Sequence, residues 1–249
     1  MQTIPTVDIL GFPVANLDMD EAVAAAIGML ERERGGFIVT ANPEILYASR
    51  EPKLGELLHG AGLILPDGIG VVMAANMLRC PVKARVTGVD LMGLLVAWAA
   101  ANSRSIYLLG AAKESVEGTA AVLTARHPTL HIAGWHDGYF NKEEPEEILK
   151  DIQEKQPDFL FIAMGFPASD LFYARHKHRL SVGLMMGVGG TFDVLSGKVK
   201  RAPLWIRRLN LEWAFRFAQN PSRLNRFWAL PAFLLAVQGQ KMRQKRRSH

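Results

Sequence analysis

Apolar runs of strand length alternate along this chain with longer segments that have helical spacing. Strands are predicted at Val7–Leu10, Phe37–Thr40, Leu63–Pro66, Ser105–Gly110, His131–Gly134, Asp158–Met164 and Leu184–Val188. Helices are predicted at Asp20–Arg32, Glu44–His59, Leu91–Ala101, Lys113–Arg126 and Glu143–Lys155. Strand and helix thus alternate about six times. This pattern is typical of an α/β fold with a doubly wound, mostly parallel, Rossmann-like sheet.

The stretch Leu63–Gly70 carries the first candidate for chemistry. Its apolar run ends at Pro66 and Gly68, so Asp67 is predicted on a short turn where a strand leads into a helix. In open α/β sheets this is the edge at which ligands bind. A carboxylate there can be a general base, a metal ligand or only the N-cap of the next helix, and this stretch alone leaves all three open.

Polar side chains also follow three other predicted strands. They are Thr40, Asn42, Ser169, Asp170 and Asp193. Helix capping explains each one singly but not why so many gather at one edge of the sheet. The glycines of Gly187–Gly190 would let the backbone approach a ligand closely and offer amides to phosphate. We therefore predict a ligand cleft at this edge.

An acidic pair precedes the first predicted helix. Asp18 and Asp20 form an Asp-x-Asp sequence, which metal-dependent sugar transferases use to hold a metal on a nucleotide diphosphate. Asp18 followed three residues later by Glu21 is also the pattern of a capping box. We favour the capping box, and we predict no metal site and no cofactor.

Composition sets outer bounds on the function. The chain has 249 residues, 49% of them hydrophobic, which suits one α/β core with an appendage. The lone cysteine, Cys80, cannot form an internal disulfide, so we expect a reducing, cytoplasmic setting without a signal peptide. The longest uncharged apolar runs, at Leu91–Ser103 and Phe227–Gln240, are too short or too polar to cross a bilayer.

The net charge of +5 is distributed unevenly. Residues 201–249 contain eleven Lys and Arg against one acid, whereas residues 1–200 contain eighteen basic and twenty-three acidic residues. We therefore divide the chain into a catalytic core, 1–200, and a basic, amphipathic helical appendage, 201–249. Tryptophan-bearing basic helices suit an anionic membrane surface. Nucleic-acid binding is less favoured, because the tail has no known reader motif and the core is acidic.

Two nucleotide-binding motifs are missing. The single glycine after the strand Ser105–Gly110 does not make a dinucleotide fingerprint, and Gly197-Lys198 lacks the spacing of a P-loop. A nucleotide-binding oxidoreductase or regulatory module on the same sheet therefore remains only an alternative.

Nine ordered segments resemble one family, the WecG/TagA/CpsF bacterial glycosyltransferases of cell-envelope polysaccharide synthesis. They cover nearly the whole chain and are Thr40–Glu44, Leu65–Gly68, Arg85–Gly88, Gly138–Phe140, Met164–Pro167, Gly187–Asp193, Arg201–Pro203, Leu211–Trp213 and Pro221–Arg226. The resemblance implies a metal-independent, inverting transferase. It would move a sugar such as N-acetylmannosamine, its uronate or glucose from UDP to a polyprenyl-diphosphate-linked sugar. The implied location is the inner face of the plasma membrane, with the tail docked over the active site.

The same resemblance implies roles for individual residues. Asp67 matches the proposed general base, Thr40 and Asn42 the pair beside the donor sugar, and Arg85 an arginine of the same cleft. By itself Arg85 could equally be a solvated surface residue.

Further matches concern the nucleotide and the diphosphate. Tyr139 and Asp193 match positions near the uridine, although the aromatic loop around Tyr139 could also be a cover on the core. Arg216, Arg223 and Arg226 match tail arginines that close on the diphosphate, and an arginine fork suits that group.

The segment Pro167–Asp170 departs from the family pattern. Where the family usually has Pro-x-Gln-Glu, the shorter hydroxyl of Ser169 replaces an amide, so the resemblance implies that the donor sugar, or its C-2 or C-6 substituent, can differ from that of the best-known members. The donor, the acceptor glycan and the choice between monomer and homo-oligomer are not fixed by the sequence.

Overall fold

Six parallel strands form the central sheet of the computed structural model, which describes residues 4–32, 35–141, 145–208, 212, 214–215 and 228–247. A separate two-stranded hairpin consists of β1 (Thr6–Ile9) and β2 (Phe12–Ala15). The central strands are β3 (Gly36–Ala41), β4 (Leu63–Pro66), β5 (Ser105–Gly110), β6 (His131–His136), β7 (Phe159–Ala163) and β8 (Leu184–Gly187). Their order is β4-β3-β8-β7-β5-β6. The predicted α/β fold with a Rossmann-like sheet is confirmed.

Eleven helices are found among the described residues. They are α1 (Met19–Arg32), α2 (Pro43–Ala48), α3 (Pro52–His59), α4 (Ile69–Met77), α5 (Gly88–Ala101), α6 (Lys113–Arg126), α7 (Glu146–Lys155), α8 (Ala168–His176), α9 (Thr191–Leu195), α10 (Leu204–Arg208) and α11 (Ala229–Arg247). None of these segments is long and apolar enough to cross a membrane.

Two hydrophobic clusters cover the two faces of the sheet. Side chains alternate along each strand, so Phe37 and Val39 enter one cluster while Ile38 enters the other. The first cluster also contains residues of α2, α3, α4, α7, α8 and α11, and the second contains residues of α1, α5, α6 and α9. Burial of both faces explains why the strands read as continuous apolar runs.

Two elements differ from the sequence prediction. The segment after Gly11, for which no strand was predicted, forms β2 and pairs antiparallel with β1. The single helix predicted at Glu44–His59 is two helices, because Pro52 begins a new helix and cannot supply the amide that a continuous helix needs. Glu51 caps this second helix by accepting from the amide of Leu54 at 3.1 Å.

The capping box at α1 is confirmed. Asp18 Oδ1 accepts a hydrogen bond from the Glu21 amide at 2.9 Å, and Glu21 Oε2 accepts one from the Asp18 amide at 3.0 Å. Both acids are therefore used at the start of the helix.

Helix α11 is built into the core rather than appended to it. Phe233 and Val237, which belong to the segment predicted as a basic, amphipathic appendage, are fully buried in the first cluster. Gln240 joins this helix to the N-terminal hairpin by two hydrogen bonds. Its Oε1 accepts from the Leu10 amide at 2.8 Å, and its Nε2 donates to the Asp8 carbonyl at 3.0 Å. The tail pattern was correctly amphipathic, but this apolar face packs on the protein.

The strand order creates a crevice at one edge of the sheet. From β3 the chain moves outward to β4 and then crosses to β5 on the far side, while β8 returns last and pairs with β3. Loops therefore diverge from the carboxyl ends of these strands, and such a switch point leaves room for a ligand.

Candidate active site

A cleft of about 570 Å³ opens at the carboxyl ends of β3, β4, β7 and β8. Six of the residues predicted from sequence line it, namely Thr40, Asn42, Asp67, Arg85, Ser169 and Asp193. The predicted cleft is therefore present at the carboxyl ends of the strands.

Parallel pairing of β3 with β4 brings Asp67 beside Thr40 and Asn42. Ala41 is in register with Pro66, and the Asp67 amide donates to the Ala41 carbonyl at 2.9 Å. Gly68, with a φ of +87°, occupies the N-cap position of α4, so the Asp67 carboxylate does not hold the capping position. Asp67 is half-buried, which keeps its side chain accessible to a ligand in the cleft.

The sequence left open whether Asn42 caps a helix or lies in the cleft, and in the structure it does both. Its Oδ1 accepts from the Ile45 amide at 2.9 Å and so caps α2, and the residue also lines the cleft. The cap uses the carbonyl oxygen of the side-chain amide. Its NH₂ group is a donor that the cap does not use.

Thr40 is held against the start of α5. A Cβ added to Gly88 would come within 2.9 Å of Thr40 Oγ1, so only glycine allows this close approach. The Thr40 hydroxyl is thereby fixed beside the first turn of α5, whose N-cap is Thr87.

Two arginines form a cationic wall of the cleft. Arg201 Nη2 donates to Asp90 Oδ2 at 2.6 Å, and Arg85 Nη2 lies 3.6 Å from Glu212 Oε2. Burial lowers the pKa of Arg201, but the nearby acids, including Asp67, outweigh it and leave that pKa raised. Arg201 therefore stays charged within electrostatic reach of Asp67.

The loop after β8 presents backbone to the cleft. Gly189 has a φ of +52°, and Thr191 Oγ1 donates to the Val188 carbonyl at 2.6 Å. A glycine-rich turn that leads into a helix is suited to phosphate oxygens. Asp193 lies behind this turn, where its Oδ1 accepts from Ser115 Oγ at 2.7 Å.

Ser169 and Asp170 stand at the first turn of α8. The Ser169 hydroxyl is buried and bonded to backbone at both sides, since it accepts from the Met164 amide and donates to the Ile162 carbonyl, each at 3.3 Å. Asp170 is buried too, and burial raises its pKa to about 7.

One other predicted residue is described and does not line the cleft, and three more cannot be placed from the described residues. Tyr139 is 84% exposed in the loop after β6 and is absent from the residues that line the cleft. Arg216, Arg223 and Arg226 lie outside the described residues.

Sequence reasoning missed Arg201 and Glu212 as cleft residues. Both belong to segments that carry the family resemblance, Arg201–Pro203 and Leu211–Trp213, but only the tertiary structure places them beside Arg85. In the described part of the chain, no three His, Cys, Asp or Glu residues lie close enough together to hold a metal ion.

Comparison with known proteins identifies the family of this chain. The model of the glycosyl transferase WecG/TagA/CpsF family matches residues 7–247. A Bacillus spizizenii N-acetylglucosaminyldiphosphoundecaprenol N-acetyl-β-D-mannosaminyltransferase is 36% identical over 232 residues, 90% of each chain. The Bacillus subtilis protein of that name is 35% identical over 217 residues, covering 87% of this chain and 84% of its own. One from Staphylococcus aureus strain MW2 is 36% identical over 243 residues, covering 96% and 95%. This chain therefore belongs to the WecG/TagA/CpsF family of glycosyl transferases and is a hexosyltransferase.

Proposed function

We propose that this enzyme transfers an N-acetylmannosamine residue, or a closely related hexose, from a UDP-sugar to a polyprenyl-diphosphate-linked N-acetylglucosamine. The activity named for the relatives supports the sugar and the acceptor. The observation that carries the mechanism is one cleft with Asp67 at one strand end and Arg85 and Arg201 on its wall.

In this mechanism Asp67 is the general base. It takes the proton of the acceptor hydroxyl while that oxygen forms a bond to C1 of the donor sugar. The bond from C1 to the diphosphate oxygen breaks on the opposite face, and its electron pair leaves with UDP. The configuration at C1 is therefore inverted.

The donor is held by groups that approach from three strand ends. The Thr40 hydroxyl and the Asn42 amide orient the sugar, and the glycine turn after β8 takes the diphosphate. Arg85 and Arg201 stabilise the negative charge that develops on the departing UDP, with help from Arg216, Arg223 and Arg226. Arginine supplies this charge in place of a metal, so we propose a metal-independent reaction.

A membrane surface is the proposed setting, because the acceptor carries a lipid. Leu235 and Met242 are exposed and seven residues apart, so they share one face of α11, opposite the buried Phe233 and Val237, and the exposed Trp228 lies in the turn just before this helix. Exposed basic residues follow on the same helix. Apolar side chains beside basic ones suit anionic lipid headgroups. We propose that this outer face rests on the inner leaflet of the plasma membrane.

The test of the transfer reaction is a donor screen. The purified protein is incubated with UDP-N-acetylmannosamine, UDP-N-acetylglucosamine or UDP-glucose and a short polyprenyl-diphosphate N-acetylglucosamine, and the lipid product is measured by mass spectrometry. We expect transfer from UDP-N-acetylmannosamine. A thermal shift of the protein by NAD but not by UDP, without any sugar transfer, would favour the oxidoreductase alternative instead.

A further inference from the structure

Asp170 is a buried carboxyl that the mechanism above does not use. It is 4% exposed and lines the cleft, and its Oδ1 has no hydrogen-bond partner among the described residues. Burial raises the pKa of Asp170 to about 7, although a hydrogen bond with its own backbone lowers that pKa in part, and one carboxyl oxygen is left unsatisfied. A buried carboxyl oxygen without a hydrogen-bond partner at the wall of a cleft is suited to form a hydrogen bond with a ligand.

Two other residues that line this part of the cleft, Phe37 and Ser169, have no side-chain group free for a hydrogen bond. The Phe37 ring lines the same cleft and stacks on Tyr173 with the ring centroids 4.5 Å apart. The neighbouring Ser169 hydroxyl is bonded to the backbone at both sides of the turn. Of these three neighbours, Asp170 is the one with an unsatisfied side-chain atom, Oδ1, in the described structure.

Gly187 leaves this part of the cleft lining without a further side chain. Gly187 has no side chain, and a Cβ built on it would lie 3.5 Å from Phe37 Cζ and 3.7 Å from Ser169 Cβ. The wall is close to the Thr40 end of β3, since Gly187 on β8 is in register with Val39. A sugar whose C1 faces Asp67 would turn one edge toward it.

We propose that Asp170 hydrogen-bonds a hydroxyl or acetamido group of the donor sugar and thereby selects which hexose is transferred. This proposal rests on the proposed function. Asp170 would contact the sugar but take no part in proton transfer, so it is a specificity residue. A carboxyl that carries its proton both donates and accepts, which suits a hydroxyl or an amide.

The test measures binding by calorimetry with two probes, UDP and UDP-N-acetylmannosamine. Asp170→Leu keeps the approximate volume but removes hydrogen bonding, and Asp170→Asn keeps donor and acceptor groups. We expect Asp170→Leu to weaken the UDP-sugar about tenfold, the worth of one hydrogen bond, and to leave UDP within twofold. Asp170→Asn should restore most of the sugar affinity.

Ser49→Ala is the matched control. Ser49 is also buried with an unpartnered hydroxyl in the described structure, but it does not line the cleft. Its substitution should change neither affinity. If Asp170→Leu does not fold, as shown by its thermal melt, Asp170→Ala carries the same expectation.

Three results would overturn the assignment. They are unchanged sugar affinity in Asp170→Leu, an equal loss for UDP and the UDP-sugar, and an equal effect in Ser49→Ala. Failure of the proposed function would be seen in the wild-type enzyme itself. It would then transfer no sugar, and it would bind no UDP-sugar more tightly than UDP.

Discussion

Arg85 Nη2 and Glu212 Oε2 lie 3.6 Å apart, which joins the loop before α5 to the C-terminal segment at the wall of the cleft. Glu212 Oε1 also lies 3.9 Å from Arg201 Nε. Glu212 thus lies within ion-pair distance of both Arg85 and Arg201, the two arginines that bind the diphosphate of UDP in the proposed mechanism. UDP would have to compete with Glu212 for them.

Glu212→Gln should therefore bind UDP more tightly. Removal of one competing ion pair, worth about 1 kcal/mol, corresponds to roughly fivefold in affinity. Calorimetry at low salt measures it. Glu146→Gln is the control, because Glu146 pairs with Arg179 on the surface away from the cleft. Weaker UDP binding in Glu212→Gln would mean that Glu212 positions the arginines rather than competing for them.

Asp67→Asn should abolish most of the turnover. Loss of a general base costs about 10³-fold in kcat, whereas the amide keeps the size of the side chain, so UDP-sugar affinity should stay within about threefold. Single-turnover rates and calorimetry separate the two effects. Asp20→Asn, an equal change of charge at an exposed position of α1, serves as the control. Normal turnover in Asp67→Asn would remove the proposed mechanism.

Arg85→Met should lower kcat about 10²-fold, the usual cost of one group that stabilises developing charge. In contrast, excess EDTA should leave the wild-type rate unchanged, because arginines supply the charge. Both rates are measured with the same UDP-sugar and lipid acceptor. A strict requirement for a divalent cation would refute the metal-independent reaction.

Asp170 should also make stability depend on pH. Its pKa is raised from the ordinary 3.8 to about 7 in the folded protein, so between these values the folded state holds a proton that the unfolded state has lost. Stability therefore falls as pH rises through this window. Asp170→Asn should exceed wild type at pH 8 by up to about 4 kcal/mol and match it near pH 4, as measured by urea unfolding. Equal gains at both pH values would contradict this assignment.

The outer face of α11 should hold the protein on anionic vesicles. Replacing Trp228, Leu235 and Met242 together by serine should reduce co-sedimentation with phosphatidylglycerol vesicles at least about tenfold, because their apolar area no longer enters the headgroup region. High salt should also weaken binding of the wild type. Leu94→Gln, a similarly partly exposed apolar residue on α5, is the control. Undiminished sedimentation of the triple variant would exclude this face as the anchor.

Deleting the whole tail would be a poor test of the same idea. Phe233 and Val237 are fully buried, so a deletion from Pro203 onward removes part of the core as well as any membrane contact. Loss of activity would then report unfolding.

The sequence by itself determined the α/β fold and the position of the cleft. Parallel strands buried on both faces leave continuous apolar runs, and the carboxyl ends of such strands meet at one edge. Thr40, Asn42 and Asp67 could therefore be predicted together from local patterns alone. The capping box of Asp18 and Glu21 was equally readable, because both partners are three residues apart.

Only the tertiary structure decided which long-range partners meet. Arg201 and Glu212 approach Arg85 through folding of distant segments, and no local spacing encodes that contact. An amphipathic pattern shows that α11 has an apolar face but not what covers it, and packing assigned Phe233 to the core. Likewise, Asp170 was readable as a helix cap. Its missing hydrogen-bond partner became visible only once every neighbouring side chain had a position in space.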